Sequence, residues 1–123
     1  KVPNPTGYGR LILSSQGQLD KIVEEKDASE AQKKVNLCNS GVLFGERAFI
    51  FELLKGITNK NAQGEYYLTD CAEAASSKGK PVFVFETDRW QELRGVNTPQ
   101  ELVNMKLFLE KSYETTPFKP GEV

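Results

Sequence analysis

The pattern of apolar and polar positions changes period several times along this chain. Arg10–Leu13 and Leu19–Glu25 are short β-prone runs joined by Ser14–Gln18, whose Gly17 can take a positive φ, and together they predict a hairpin. A polar, partly helical segment starts at Asp27-Ala-Ser-Glu and runs to Lys34. Asn36–Gly45 carries Val42-Leu43-Phe44 and reads as a strand. From Glu46 the repeat becomes helical: Phe49, Leu53 and Ile57 recur every four residues with Ile50 and Leu54 beside them, until Gly56 and Asn59 stop the pattern. Leu68–Lys78 is an alanine-rich helix candidate closed by Gly79, and Pro81–Phe85 is a continuous apolar run of the kind found in strands covered on both faces. The last element has the clearest start. Thr98 is a good N-cap, Pro99 suits the first helical position, and Glu101 completes a capping box ahead of Leu102, Met105 and Leu109. That helix is expected to reach about Glu114, leaving residues 115–123 as a tail or linker.

The order β-β-(α)-β-α-α-β-α predicts an α/β domain with a mixed sheet and flanking helices. It lacks the regular β-α alternation of a complete doubly wound sheet. At 123 residues the chain is one domain at most, and its hydrophobic share of 38% and charged share of 27% are those of an ordinary globular protein. A net charge of −1 gives no field that would gather nucleic acid or an anionic membrane, so any phosphate must be held locally. There is no apolar run long enough to span a bilayer and no visible signal peptide. The chain opens on Lys1 rather than Met, which suggests a fragment or a partial reading frame.

Composition also narrows the chemistry. Two cysteines, Cys38 and Cys71, stand without any histidine, so Cys and His cannot supply a four-ligand zinc site. A Cys–His nucleophile and a histidine acid or base are excluded for the same reason. Two buried thiols in a cytoplasmic protein are the expectation.

Several polar positions invite either a structural or a binding reading. In Pro5-Thr-Gly-Tyr-Gly-Arg10, Gly9 either turns the chain into a strand or, lacking a Cβ, lets a ligand hydroxyl reach the backbone. Glu24 is either a solvated charge at a strand end or an acceptor for ligand hydroxyls, a task that suits a carboxylate. Glu25, Lys26 and Asp27 read as solvent-facing or capping groups. Asn39, in Asn-Ser-Gly, is a turn residue or an amide offering a donor and an acceptor together. In Asn61-Ala-Gln-Gly-Glu-Tyr-Tyr-Leu-Thr-Asp70 a loop enters a helix, with Thr69 and Asp70 in or near its first turn. The adjacent tyrosines there suit carbohydrate contact as well as core packing. Asn97, before Thr-Pro, reads by itself as a turn residue.

Taken in order, these blocks, with Ile22-Val-Glu-Glu-Lys-Asp-Ala28 and Gly95-Val-Asn97, resemble the second half of the uridyltransferase domain of bacterial N-acetylglucosamine-1-phosphate uridyltransferases. The resemblance runs from Pro5 to about Leu109. It implies that residues 1–114 are the second half of a Rossmann-like nucleotide-diphospho-sugar transferase domain, carrying the sugar pocket. It further implies that the Gly9 backbone, Glu24, Asn39, Glu65 and Tyr67 contact the sugar, although Tyr67 serves equally well as a packing residue. Asn97 matches an asparagine that helps hold Mg²⁺ beside an aspartate from the first half of the domain. Ser40 stands where the family commonly has threonine and keeps the hydroxyl.

In that family UTP and N-acetylglucosamine-1-phosphate give UDP-N-acetylglucosamine and pyrophosphate by in-line attack. Positioning and charge neutralisation carry such a step, and no protein nucleophile is needed. The Gly-rich, basic nucleotide loop and the metal aspartate belong to the first half, and nothing in this chain matches them. The resemblance therefore implies a chain that binds N-acetylglucosamine-1-phosphate or UDP-N-acetylglucosamine, needs the other half for UTP and Mg²⁺, and is inactive alone. A stand-alone binding module and a piece that must associate to fold remain open as readings.

Overall fold

The computed structural model describes residues 1–96 and 98–115. The chain divides into two units, Lys1–Glu92 and Leu93–Val123. The first holds an antiparallel hairpin of β1 (Arg10–Leu13) and β2 (Leu19–Val23), followed by α1 (Glu30–Lys33), α2 (Arg47–Leu54) and α3 (Asp70–Ser77). The second holds α4 (Pro99–Thr115). The fold is α/β, as its sequence predicts.

The hairpin forms where the alternation places it. Gly17 takes φ 77°, and the turn closes with the Ser14 N–H donating to the Gln18 carbonyl at 2.8 Å. A bulge at Ile12/Leu13 absorbs one residue of register. Leu11, Leu19 and Ile22 are buried on the face that receives Ala72 of α3, with Leu37, Val82 and Val84 around them. Each fully buried Leu or Ile contributes about 1.5–3 kcal/mol relative to exposure. A second cluster joins Leu53 of α2 to Cys71 and Ala75 of α3, and Val82 touches both clusters. The alanine-rich face of α3 lies against β2 for a steric reason: small side chains let the helix backbone approach.

Helix starts follow local chemistry. Ser29 and Gln32 build a reciprocal capping box on α1, and Glu46 caps α2 by accepting from the Ala48 and Phe49 N–H groups at 2.8 and 3.0 Å. The box predicted for α4 is present: the Thr98 hydroxyl accepts from the Glu101 N–H at 3.2 Å, and the Glu101 carboxylate from the Thr98 N–H at 2.9 Å. Leu102, Met105 and Leu109 lie along α4, where Leu102 and Leu109 are exposed. The helix includes Thr115, and the expected tail beyond it lies outside the described residues.

The sheet is smaller than expected. Among the described residues it has two strands, and the mixed sheet predicted from Asn36–Gly45 and Pro81–Phe85 is not formed. The segment around Leu37 does reach β1, through an Arg10–Cys38 bridge and the Leu11 N–H donating to the Leu37 carbonyl at 2.9 Å. It then peels away, leaving Val42 and Phe44 exposed. Residues 81–85 touch β2 through a single bond, Leu19 N–H to Val82 carbonyl at 2.9 Å. Val82 and Val84 turn inward, whereas Phe83 and Phe85 are 77% and 94% exposed. An extended run becomes a strand only when a neighbour supplies a continuous row of donors and acceptors, and this run has one bond.

Among the described residues Arg10 is the largest side chain that is completely buried, at 1% exposure. Its guanidinium pairs with Glu25 and donates to the Tyr8 carbonyl, and its other terminal nitrogen reaches the Lys33 carbonyl at 3.3 Å. Glu25 also accepts from the Gly7 N–H at 3.1 Å. Glu25 is thus half-buried in an ion pair rather than solvent-facing as its sequence suggests, because a buried guanidinium requires a counter-charge. The Arg10 hydrogen bond, followed by that from Gly7, holds the Glu25 carboxyl below its ordinary pKa.

Two predictions follow from this packing. Ala72→Leu should overpack the contact of α3 with β2 and destabilise the fold by about 1–3 kcal/mol, measurable by urea unfolding. Glu25→Gln should lower the melting temperature at neutral pH. A depressed carboxyl contributes stability above its unfolded pKa and loses it as pH falls through the folded value. The gap between variant and wild type should therefore close on acidification. A gap constant with pH would exclude the pairing as its origin.

Candidate functional site

The exit of β2 is where three of the predicted site residues, Gly9, Glu24 and Asn39, gather. The register pairs Arg10 with Val23, and continuing it one step sets Gly9 opposite Glu24. Directly opposed residues project to one face of the sheet with their Cβ atoms close together. Gly9 has none, and the Glu24 carboxylate occupies that space: a Cβ on Gly9 would stand 3.2 and 3.3 Å from its two oxygens and 3.1 Å from Ile22 Cγ2. Asn39 joins them through the backbone, its N–H donating to the Gly9 carbonyl at 2.8 Å. The Asn39 side-chain oxygen accepts from the Gly41 N–H at 3.1 Å, which leaves the amide NH₂ as the group able to meet a ligand.

The loop 61–69 closes over the residues that follow β2, and two side-chain anchors hold it. One is Thr69, whose hydroxyl donates to Glu24 Oε1 at 2.8 Å. The other is Asp27. Its carboxylate accepts from the Ala62 N–H at 2.8 Å and from the Tyr67 hydroxyl at 3.2 Å, while Gln63 Nε2 donates to that same hydroxyl at 2.9 Å. Asn61 orders the loop from within, accepting from the Gln63 and Glu65 N–H groups at 3.1 and 3.2 Å. Asp27 is exposed, as expected from the sequence, and from the surface it also reaches the loop. Neither Asp27 nor Thr69 stands out as a site residue in the sequence, because each acts on a partner 35 or more residues away.

Between β2, α3 and the start of the loop lies an open cleft of about 560 Å³. Glu24, Asp27, Tyr67, Asp70 and Glu73 line it, with Lys21 and Lys60. The cleft therefore brings Glu24 and Tyr67 together. Gly9 and Asn39 adjoin Glu24 without lining it, and Glu65 is exposed in the loop. Asn97 lies outside the described residues, and with it the one residue predicted to bind Mg²⁺. Among the described residues no group of three or more His, Cys, Asp or Glu is placed to hold a metal ion.

The electrostatics follow from crowding of like charge. Burial raises the Asp70 carboxyl, and the neighbouring Glu73, Asp27 and Glu24 carboxylates push in the same direction. Burial likewise raises the Tyr67 phenol, with Asp27 adding to the effect, so the hydroxyl stays protonated as a donor. Burial raises both Cys38 and Cys71 as well, so they are poor nucleophiles. Such a cleft offers many acceptors and a few positive charges. That favours a neutral ligand rich in hydroxyl donors over a polyphosphate.

The chain is similar in sequence to known proteins over most of its length. It is 43% identical over 108 residues to the Bifunctional protein GlmU of Pelotomaculum thermopropionicum, covering 88% of this chain and 24% of that relative. It is 37% identical over 121 residues to the protein of the same name from Limosilactobacillus fermentum, covering 98% of this chain and 27% of the relative. The corresponding Bacillus subtilis protein is 40% identical over 108 residues, 88% of this chain and 24% of the relative. The chain spans about a quarter of the length of the curated relatives it matches. No protein-family model matches it. Among the described residues no helix is long and apolar enough to cross a membrane.

Asp27→Ala should free the loop without unfolding the hairpin. Hydrogen exchange at the Ala62 amide should accelerate about tenfold, the equivalent of one ordinary hydrogen bond, while the amide of Leu11 stays protected. Equal acceleration at both amides would mean that Asp27 supports the whole unit and not the loop.

Proposed function

The chain is a homologue of one segment of the bifunctional GlmU proteins, and from that premise we propose that it supplies the aminosugar pocket of a sugar-1-phosphate uridyltransferase. The reaction joins UTP and N-acetylglucosamine-1-phosphate and releases pyrophosphate and UDP-N-acetylglucosamine. The observation that carries the reading is the placement of Glu24. An acceptor-only carboxylate is packed over a glycine, beside the Asn39 backbone and at the rim of a cleft lined with further acceptors. Glu24 accepts from sugar hydroxyls, the Asn39 amide meets the acetamido group, and Tyr67 walls the cleft. Glu65 and Asn97 complete the contacts by resemblance. Asn97 would hold Mg²⁺ with donors from the other half of the domain, and the ion would neutralise charge on the reacting phosphates.

Under this reading the chain binds and orients the sugar phosphate, and in-line attack requires the nucleotide-holding half. The acidic cleft supports such a division, because the phosphates of UTP need cations that the cleft does not concentrate. The exposed Phe83 and Phe85 support it as well, since the remaining half of the domain would cover them. Alone, the chain is a binding module without turnover.

Calorimetric titration with UDP-N-acetylglucosamine tests the pocket. Saturable binding, weakened at least tenfold in Glu24→Ala and Asn39→Ala, is the expected outcome. Binding that both variants retain in full would move the sugar away from the β2 exit. Synthesis of UDP-N-acetylglucosamine by the purified chain alone would refute the division of labour.

A further inference from the structure

Thr69 precedes helix α3 and turns its side chain to Glu24 instead of to the helix. Thr69 stands at the N-cap of α3, with φ −63° and ψ −23°, yet its side chain makes no capping hydrogen bond. Its backbone is already helical, and the Asp70 and Cys71 N–H groups donate to the Tyr67 and Leu68 carbonyls at 3.2 Å, so the start of the helix does not need this side chain. Here the hydroxyl donates to Glu24 Oε1 at 2.8 Å, and the residue is 8% exposed. A carboxylate only accepts, so the direction of the bond is fixed. It is charge-assisted and largely shielded from water, which makes it stronger than a neutral surface bond.

We propose that Thr69 is a positioning residue for Glu24. Its hydroxyl occupies Oε1 and fixes the carboxylate over Gly9, which leaves Oε2 to accept from a ligand hydroxyl. This rests on the reading of Glu24 as an acceptor for an aminosugar. A glutamate side chain free to rotate must be ordered as the ligand binds, and that ordering weakens affinity. Thr69 bears that ordering before the ligand arrives. The geometry also limits where the ligand can approach. Gly9 and Ile22 close one side of the carboxylate and Thr69 holds another, so a hydroxyl reaches Glu24 through the cleft.

Thr69→Val keeps the branched shape and removes the donor, while Thr69→Ser keeps the donor. In the ligand-free chain, NMR scalar couplings should show one Glu24 rotamer in the wild type and in Thr69→Ser, and averaged rotamers in Thr69→Val. Titrated with N-acetylglucosamine-1-phosphate, Thr69→Val should bind about tenfold more weakly, and Thr69→Ser should recover most of that loss. A single Glu24 rotamer in Thr69→Val overturns the proposal. So does wild-type affinity in Thr69→Val under conditions where Glu24→Gln is weakened, an outcome that leaves the sugar pocket standing. Failure of the wild-type chain to bind the sugar phosphate would instead remove the pocket, and the rotamers would still decide whether Thr69 holds the carboxylate.

Discussion

The arrangement depends on one buried cation. Arg10 begins β1 with its guanidinium out of water, and an isolated charge in that position would cost several kcal/mol. The cost is offset by Glu25 and by two main-chain carbonyls, Tyr8 and Lys33. Those partners come from the segment before β1, from just after β2 and from the end of α1. One side chain thus ties the open end of the hairpin to the end of α1. It also sets the direction of its neighbours. Successive residues in extended chain point to opposite faces. Committing Glu25 to Arg10 on one face sends Glu24 to the other, where Gly9 has left room for it. The ion pair is structural, and its consequence is the exposure of an adjacent carboxylate to a cleft.

Around that carboxylate, order comes from side chains rather than from secondary structure. The loop 61–69 has no regular element, yet Asp27, Thr69 and Asn61 hold it at both ends and in the middle. Carboxylates do most of this work, and the same carboxylates make the cleft acidic. Asp70 pays for the crowding, its carboxyl raised by burial and then by its neighbours. A site built this way recognises donors. On the proposed reading it meets the hydroxyls of a sugar, and the phosphate end of the substrate is left to cations held elsewhere.

Features governed by short-range chemistry were legible in the sequence. Gly17 announced the hairpin turn, and Thr98 with Glu101 announced the start of α4. Gly9, Glu24 and Asn39 came from resemblance to a family, and the fold places these three side by side. Thr69 and Asp27 were not legible as site residues, because their significance lies in partners 45 and 35–40 residues away. Thr69 was also disguised, since a threonine in or near the first turn of a helix is an ordinary helix-start residue. Glu25 misled in the opposite sense. A charged residue in a run of charged residues looks solvated until its partner is known to be buried.

The expected strand at 81–85 shows what a period alone can and cannot fix. A continuous apolar run predicts cover on both faces, and the inward half of that expectation is met by Val82 and Val84 against the hairpin core. The outward half leaves Phe83 and Phe85 in solvent, while the interior of the same unit is built mainly of alanine, leucine and isoleucine. A fold that keeps alanines inside and phenylalanines outside forgoes much of the burial available to it, since each aromatic ring would remove well over 100 Å² from water. Such an inversion is sensible for a surface that is meant to be covered. With the chain spanning about a quarter of the length of its relatives, the outward face of 81–85 is where the proposed first half of the domain would add both cover and a row of hydrogen bonds.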